Sequence, residues 1–506
     1  MKLRAALLIS AISLGTMAIN AISPIRYRGT FLGYTASGDF TPYYLASNSF
    51  GVNASPHAAL LRAALDSPMD SSMRWSYDWG ADIIGGYRSS ISYQEYSDHS
   101  LRSHSPVASS FRLQQLYASV KYRRVFLSVG LKEAGSYMLD DALSSGDITW
   151  SANSRPMPGV RAGFLGYVDI PFTSRWLQIN GELFFGKPTD NHWLEDHYNY
   201  YNSFITTGRY ISYKRVYFRT CPDKRFHAVI GMQAASQFGG TKKEYDKGVL
   251  TKTEHSSSGF KDFLSNIIPR KEGGEGYYEG NHLGSWDIKL NYRIGSAHTV
   301  SAYMQSPWED GSGIGKLNGW DGLWGISYSS SAQSLVTGAV IEYLDFTNQS
   351  GPLHWDPADH PGTTITDQAT GSDSYYNNYF YNGYAYYGMS QGTPFLKSPL
   401  YNLDGYMRYV DTRVRGFHVA FKGCIIPSVD YRILASHRTS WGDSYAPRLN
   451  KVHDTSVALQ ATWTSRSING LCLSIAVAMD HGDMYGNSFG TLLTVSYQGI
   501  IKNLRP

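Results

Sequence analysis

The sequence predicts an all-β fold: a transmembrane antiparallel β-barrel of the bacterial outer membrane, with long extracellular loops. Three observations carry this expectation: an N-terminal export signal, period-two alternation recurring from about Arg74 to Ile501, and a chain rich in aromatic residues and glycine but poor in charge.

The export signal comes first in the chain. Lys2 and Arg4 supply a basic start, a largely apolar run follows from Ala5 to about Ile22, and the small residues Thr16, Ala18, Ala21 and Ser23 precede Pro24. That order is the order of a secretory signal peptide, so residues 1–23 are expected to be removed and residues 24–506 to form the barrel. A short N-terminal anchor is the competing reading. No lipobox cysteine follows, so a lipid anchor is not expected.

Beyond this segment no run of about 18 apolar residues occurs, which excludes helical membrane spans. The mean hydropathy of −0.31 does not argue against strands, because only alternate residues of a barrel strand face lipid. The 39 Tyr, 21 Phe, 12 Trp and 50 Gly suit strands, tight turns and interfacial girdles. Cys221, Cys424 and Cys472 are too few and too scattered for a disulfide framework. A net charge of +4 without a basic run leaves no footprint for nucleic acid.

The strands read directly from alternation. Gln114, Leu116, Ala118, Val120 and Tyr122 alternate with Gln115, Ser119 and Lys121, and after Arg123-Arg124 the pattern resumes with Val125, Leu127, Val129 and Leu131. Phe417, Val419 and Phe421 oppose His418 and Lys422; Val429, Tyr431, Ile433 and Ala435 oppose Asp430, Arg432 and Ser436. Leu471, Leu473, Ile475, Val477 and Met479, then Leu493, Val495 and Tyr497, continue it. A β-sandwich or β-helix would also alternate, but here successive apolar faces leave no sheet to cover them, so the wall must close in lipid. Residues 187–203, 240–282 and 345–397 break the pattern and are expected to be loops, with one short amphipathic helix around Phe260–Ile268. The segment Pro56–Asp66 is apolar and fits helix or strand.

Catalytic and metal motifs fail on context. Gly486–Gly490 matches the nucleophile elbow G-x-S-x-G, but strands flank it on both sides where the elbow needs a helix after it. His192 and His197 are five apart and share no face, and Asp356, Asp359 and His360 read as a solvated turn, so no metal or other cofactor is expected. Glu195 with Asp196, and Glu309 with Asp310, point apart if extended and make no facing acid pair. What remains are loops of aromatic and amide residues. One groups Trp150, Asn153 and Arg155; another groups Asn377, Asn378, Tyr379, Tyr381 and Asn382 ahead of Tyr386 and Tyr387. Aromatic faces cover sugar C–H faces, while amides and guanidinium groups bond hydroxyls and carboxylates; girdle and loop packing is the competing reading.

At these loops the chain resembles the Wzi family of capsule assembly proteins, in its Bacteroidetes-type form. The matching stretches are Leu143–Pro158 (LSSGDITWSANSRPMP), Gly186–Trp193 (GKPTDNHW), Phe238–Gly240, Gly280–Asp287 (GNHLGSWD), Gly319–Gly325 (GWDGLWG) and Asn377–Pro394 (NNYFYNGYAYYGMSQGTP). The resemblance implies about 18 strands and a non-enzymatic, lectin-like role in holding capsular or other surface polysaccharide on the cell. It implies outer-membrane lipid and the barrel-assembly machinery as further partners, and a monomer is expected. Enteric members carry a small periplasmic helical bundle, to which only Pro56–Asp66 could contribute here. The last strand is expected to stop near Ile501, short of the tail ending Leu504-Arg505-Pro506. The residues expected nearest the glycan, from loop position and type, are Trp150, Asn153, Asp190, Trp193, Trp320, Asp321, Asn378, Tyr379 and Trp441, with Arg155 and Arg438 as contacts to an acidic capsule. A diffusion porin, and an outer-membrane hydrolase using Ser488 or a carboxylate pair, are the alternatives.

Overall fold

The computed structural model describes residues 24–97, 100–221, 223–266, 271–272, 277–278, 280–309, 311–351, 354–355, 369–370 and 373–501. The expected signal peptide and the Asp356/Asp359/His360 cluster therefore lie outside the described residues. Eighteen antiparallel strands form one wall: β1 (Ile25–Ala36), β2 (Ala58–Ser67), β3 (Trp75–Arg88), β4 (Phe111–Tyr122), β5 (Val125–Leu131), β6 (Pro158–Phe164), β7 (Leu177–Gly186), β8 (Tyr210–Thr220) and β9 (Phe226–Phe238) make its first half. The second half is β10 (Asn281–Ile294), β11 (His298–Trp308), β12 (Gly322–Ser330), β13 (Gly338–Asp345), β14 (Val414–Ile426), β15 (Val429–Gly442), β16 (Pro447–Thr464), β17 (Leu471–Gly482) and β18 (Ser488–Ile501). Each strand pairs with its sequence neighbour, and β1 closes on β18 from Ile25↔Ile501 to Ala36↔Gly490. The wall therefore closes on itself with no edge strand among the described residues, which is the condition for a sheet to stand in hydrocarbon.

Alternation sorts the side chains by face. Leu61, Leu65, Leu116, Val129, Ile230, Ile326, Ile341, Phe417 and Ile475 stand exposed on the outside, a continuous apolar band that water would not tolerate and lipid does. Trp75 and Tyr122 (ring centroids 4.7 Å apart), Trp176, Trp463 and the Tyr27–Tyr497 pair cluster at the end of the short turns, as an interfacial girdle. Short turns such as 123–124, 295–297 and 427–428 share that end with both ends of the described chain. Connections of 13 to 68 residues share the other with the two shortest outer links. Barrels of this kind place their long loops outside the cell.

The wall differs from the sequence reading in three places. Pro56–Asp66 is neither ambiguous nor part of a helical bundle: its core is wall strand β2, paired with β1 and β3. Gln114 does not share the face of Leu116. The β3–β4 register shifts between Asp82 and Ile83, and this bulge reverses the phase, so that Arg112 and Gln114 point inward while Phe111 and Leu113 face out. The expected loops 187–203, 240–282 and 345–397 become connections 187–209, 239–280 and 346–413. Three more connections are long: 132–157, of which the sequence marks only the part around Trp150–Arg155 as loop, and 37–57 and 89–110, for which it gives no signal. Ser203–Thr207, Gly240–Asp246 and Val249–Ser256 of two of these loops pair into a sheet above the wall, and connections 89–110 and 346–413 carry short hairpins of their own. The short helix is Phe260–Ser265.

The lumen is packed. Connections 37–57 and 132–157 and residues 373–413 of connection 346–413 fold into it, gripped by inward polar residues of the wall. Asp147 is fully buried and accepts hydrogen bonds from Gln233 Nε2 of β9 (3.1 Å), Gln305 Nε2 of β11 (2.9 Å), Ser136 Oγ (2.7 Å) and the Thr149 and Trp150 amides. Glu342 of β13 accepts from Ser144 Oγ and the Ser145 amide (both 2.7 Å), and His418 of β14 bridges Leu143 O (2.6 Å) and Tyr44 Oη (2.8 Å). These four wall side chains thus find partners on the loops that fill the lumen.

Candidate functional site

At the long-loop end a cavity of about 660 Å³ opens between five connections and the upper ends of β3, β4, β5 and β6. Its size is that of a small-ligand or short-oligomer site. One wall is a two-residue hairpin: Ala385 pairs with Ser390 and Tyr386 with Met389, leaving Tyr387-Gly388 as the turn. Both turn residues take left-handed φ, +51° and +70°. The turn type favours Asn-Gly there, and an aromatic residue in this conformation is strained by about 1 kcal/mol. The strained ring is presented to the cavity. Arg155 Cζ lies 3.7 Å from its centroid, and the Trp193 ring, 5.5 Å away and tilted, packs over Gly388.

The hairpin is held from behind. Asn153 Nδ2 donates to Ser390 O (3.0 Å) and the Ser151 amide to Gln391 O (2.9 Å), while the Phe50 and Gly51 amides donate to Ala152 O (2.7 Å) and Asn153 O (2.9 Å). Gly51 has φ +62°, and a Cβ there would stand 2.9 Å from Arg155 Cγ, so the close approach that sets Arg155 needs glycine. Trp193 stacks on His197 (4.1 Å, 21°), whose Nδ1–H donates to Trp193 O (2.7 Å).

Burial is the main cause that pushes the His197 imidazole down to about 4; His104 and Arg155 add to it, and the Trp193 carbonyl and Asp196 oppose it. The ring is therefore neutral in the fold, while the unfolded chain takes up its proton near pH 6.5. The stability that this difference contributes is complete above pH 6.5 and is lost as pH falls towards 4. Amide exchange over residues 193–199, corrected for intrinsic rates, is expected to stay slow from pH 8 to 6.5 and to rise below that. An unchanged profile in His197→Phe would contradict the assignment.

Of the residues expected at a glycan, the structure brings Arg155, Asp190 and Trp193 to this cavity. Trp150 lies behind it, donating Nε1–H to Ala134 O (3.1 Å) between Phe184 and Tyr213. Asn153, Asp321 and Arg438 are buried and bonded within the protein. Asp321 accepts from the Asn348 and Gln349 amides and from Tyr375 Oη, and burial pushes its carboxyl up to about 6. Asn378 caps its own turn through the Phe380 amide, and Trp441 lies near Arg415. Trp320 and Tyr379 are exposed on the outer loops, away from the cavity lining. Arg88 and Arg112 are among the cavity residues that the sequence does not single out, whereas Tyr387 comes from its aromatic loop cluster though not from the residues expected nearest the glycan.

The fold has solved counterparts. Wzi of Escherichia coli, described as an outer-membrane protein involved in group 1 capsule assembly and as a carbohydrate-binding β-barrel, superimposes with a TM-score of 0.52 at 13% identity, covering 97% of this chain and 87% of that one. Acinetobacter baumannii OccAB2 gives 0.48 at 8% identity (95% and 98% covered), and Pseudomonas aeruginosa OccD3 gives 0.45 at 7% (96% and 93%). No protein-family model and no curated protein matches the sequence. The closed 18-strand wall, its lipid-facing band and the likeness to the Wzi fold define the class: this is a β-barrel of the bacterial outer membrane.

Proposed function

We propose that this chain is a non-enzymatic barrel of the Wzi type, which binds capsular or other surface polysaccharide and helps retain it on the cell. The observation that carries this reading is the cavity at the long-loop end, walled by Trp193 and the strained Tyr387 and set over a lumen filled by loops. Flat aromatic faces bounded by amide and guanidinium donors suit sugar rings, and a rigid wall with a packed interior keeps them in place. The filled lumen favours a binding role over a diffusion channel. The similarity of the 143–158, 186–193 and 377–394 stretches to the Wzi family supports the same reading.

The test is made in cells. Trp193→Ala with Tyr387→Ala, introduced together in an otherwise unchanged chain, is expected to lower cell-attached polymer at least about fivefold and to raise released polymer, with barrel abundance unaltered. Unchanged attachment would overturn the proposal.

A further inference from the structure

Three arginines converge on this cavity with few carboxylates to answer them. Arg112, 6% exposed, enters from the top of β4 and uses Nη1 to bond Gly51 O (2.8 Å); its Nε and Nη2 are buried with no hydrogen-bond partner among the described residues. Arg88, at the top of β3, bonds Ser109 O through Nη1 (2.9 Å), and its Nη2 is likewise buried without a partner. Arg155 reaches the same space across Gly51. Of the carboxylates nearby, Glu133 is bound by Arg62 (2.9 Å) and Gln114 (2.6 Å), Asp190 accepts from the Leu194 amide (3.2 Å), and Asp196 lies exposed on the rim.

A buried guanidinium with idle N–H groups is costly unless an acceptor arrives, and a planar carboxylate is the acceptor its fork matches. We infer that the cavity is built for an acidic sugar, with a uronate carboxylate received by Arg112, Arg88 and Arg155 and the ring laid against Tyr387 and Trp193. This rests on the proposed polysaccharide-binding role and names the chemical class that the site selects.

The test uses the full-length barrel in detergent micelles, with tetragalacturonate, its methyl ester and inorganic phosphate as probes, read by calorimetry. The free acid is expected to bind at least about tenfold more tightly than the ester, which keeps the rings and loses the charge. Arg155→Gln is expected to abolish that ratio, and Arg112→Gln to do the same wherever the variant keeps the heat-modifiable mobility of a folded barrel. Equal binding of acid and ester, no binding of either, or an unchanged ratio in Arg155→Gln would overturn the inference. So would phosphate displacing the oligomer at equal concentration, which would assign the arginines to phosphate. Should the charge preference fail while Trp193 and Tyr387 still govern polymer attachment in cells, only this inference falls and the broader role stands.

Discussion

Asp147→Ala is expected to turn a closed barrel into a conducting one. The buried Asp147 carboxylate ties connection 132–157 to β9 and β11 through Gln233 and Gln305 while fixing the turn that carries Thr149 and Trp150. Removing it leaves the Gln305 amide, the Ser136 hydroxyl and two loop amides without their shared acceptor, at roughly 1–3 kcal/mol for each buried donor, while Gln233 keeps its bond to Asp287 (2.8 Å). The cheapest relief is water entering as the loop lifts. In planar bilayers the unmodified protein is expected to give no large steady channel, and Asp147→Ala to give long openings. Indistinguishable conductance in the two would show that this anchor does not keep the lumen filled.

The second large effect concerns Arg438, which the sequence had offered as a glycan contact. It is wholly enclosed instead: Nη2 bonds Ser456 Oγ (2.5 Å) and Asp454 Oδ2 (3.2 Å), and Tyr43 and Tyr485 lie 3.9 and 4.6 Å from its Cζ. Tyr43 donates its amide to Asp480 (2.7 Å), so the same cluster docks connection 37–57 onto β15–β17. Arg438→Ala strands a buried carboxylate and is expected to cost about 3–5 kcal/mol. Denaturant unfolding in micelles would read this as a lowered midpoint. Arg438→Met with Asp454→Leu, which removes both charges and keeps the volume, is expected to recover most of the loss. A double variant as unstable as Arg438→Ala would refute the ion-pair account.

The wall was legible because its physics has a period of two. The 114–131, 417–436, 471–479 and 493–497 alternations lie on wall strands, and the one phase error, at Gln114, falls on a bulge that adds a residue without changing composition. That error also hid Arg112, which the displaced phase would have sent towards lipid. What fills the lumen was not legible. An inward Gln233, Gln305 or Glu342 serves equally well against water or against a folded loop, and the difference lies in contacts made across more than 80 residues of sequence.

The site shows the same division. Three of the stretches that carry the family resemblance (143–158, 186–193 and 377–394) do converge, bringing Arg155, Trp193 and Tyr387 to one cavity. Asn153 and Asp321 have the same types but face inward, because a loop amide or acid can serve a backbone as readily as a sugar. Tyr387 stands out only once its left-handed backbone is seen.

The most direct measurement is equilibrium binding of the cell's own surface polysaccharide to the purified full-length barrel, set beside an extract from cells lacking that polymer. Saturable binding of the polymer, weakened at least about tenfold by Trp193→Ala with Tyr387→Ala and absent from the control extract, is the predicted result. A folded barrel that ignores the polymer, or binds it equally well without those two rings, would contradict the account.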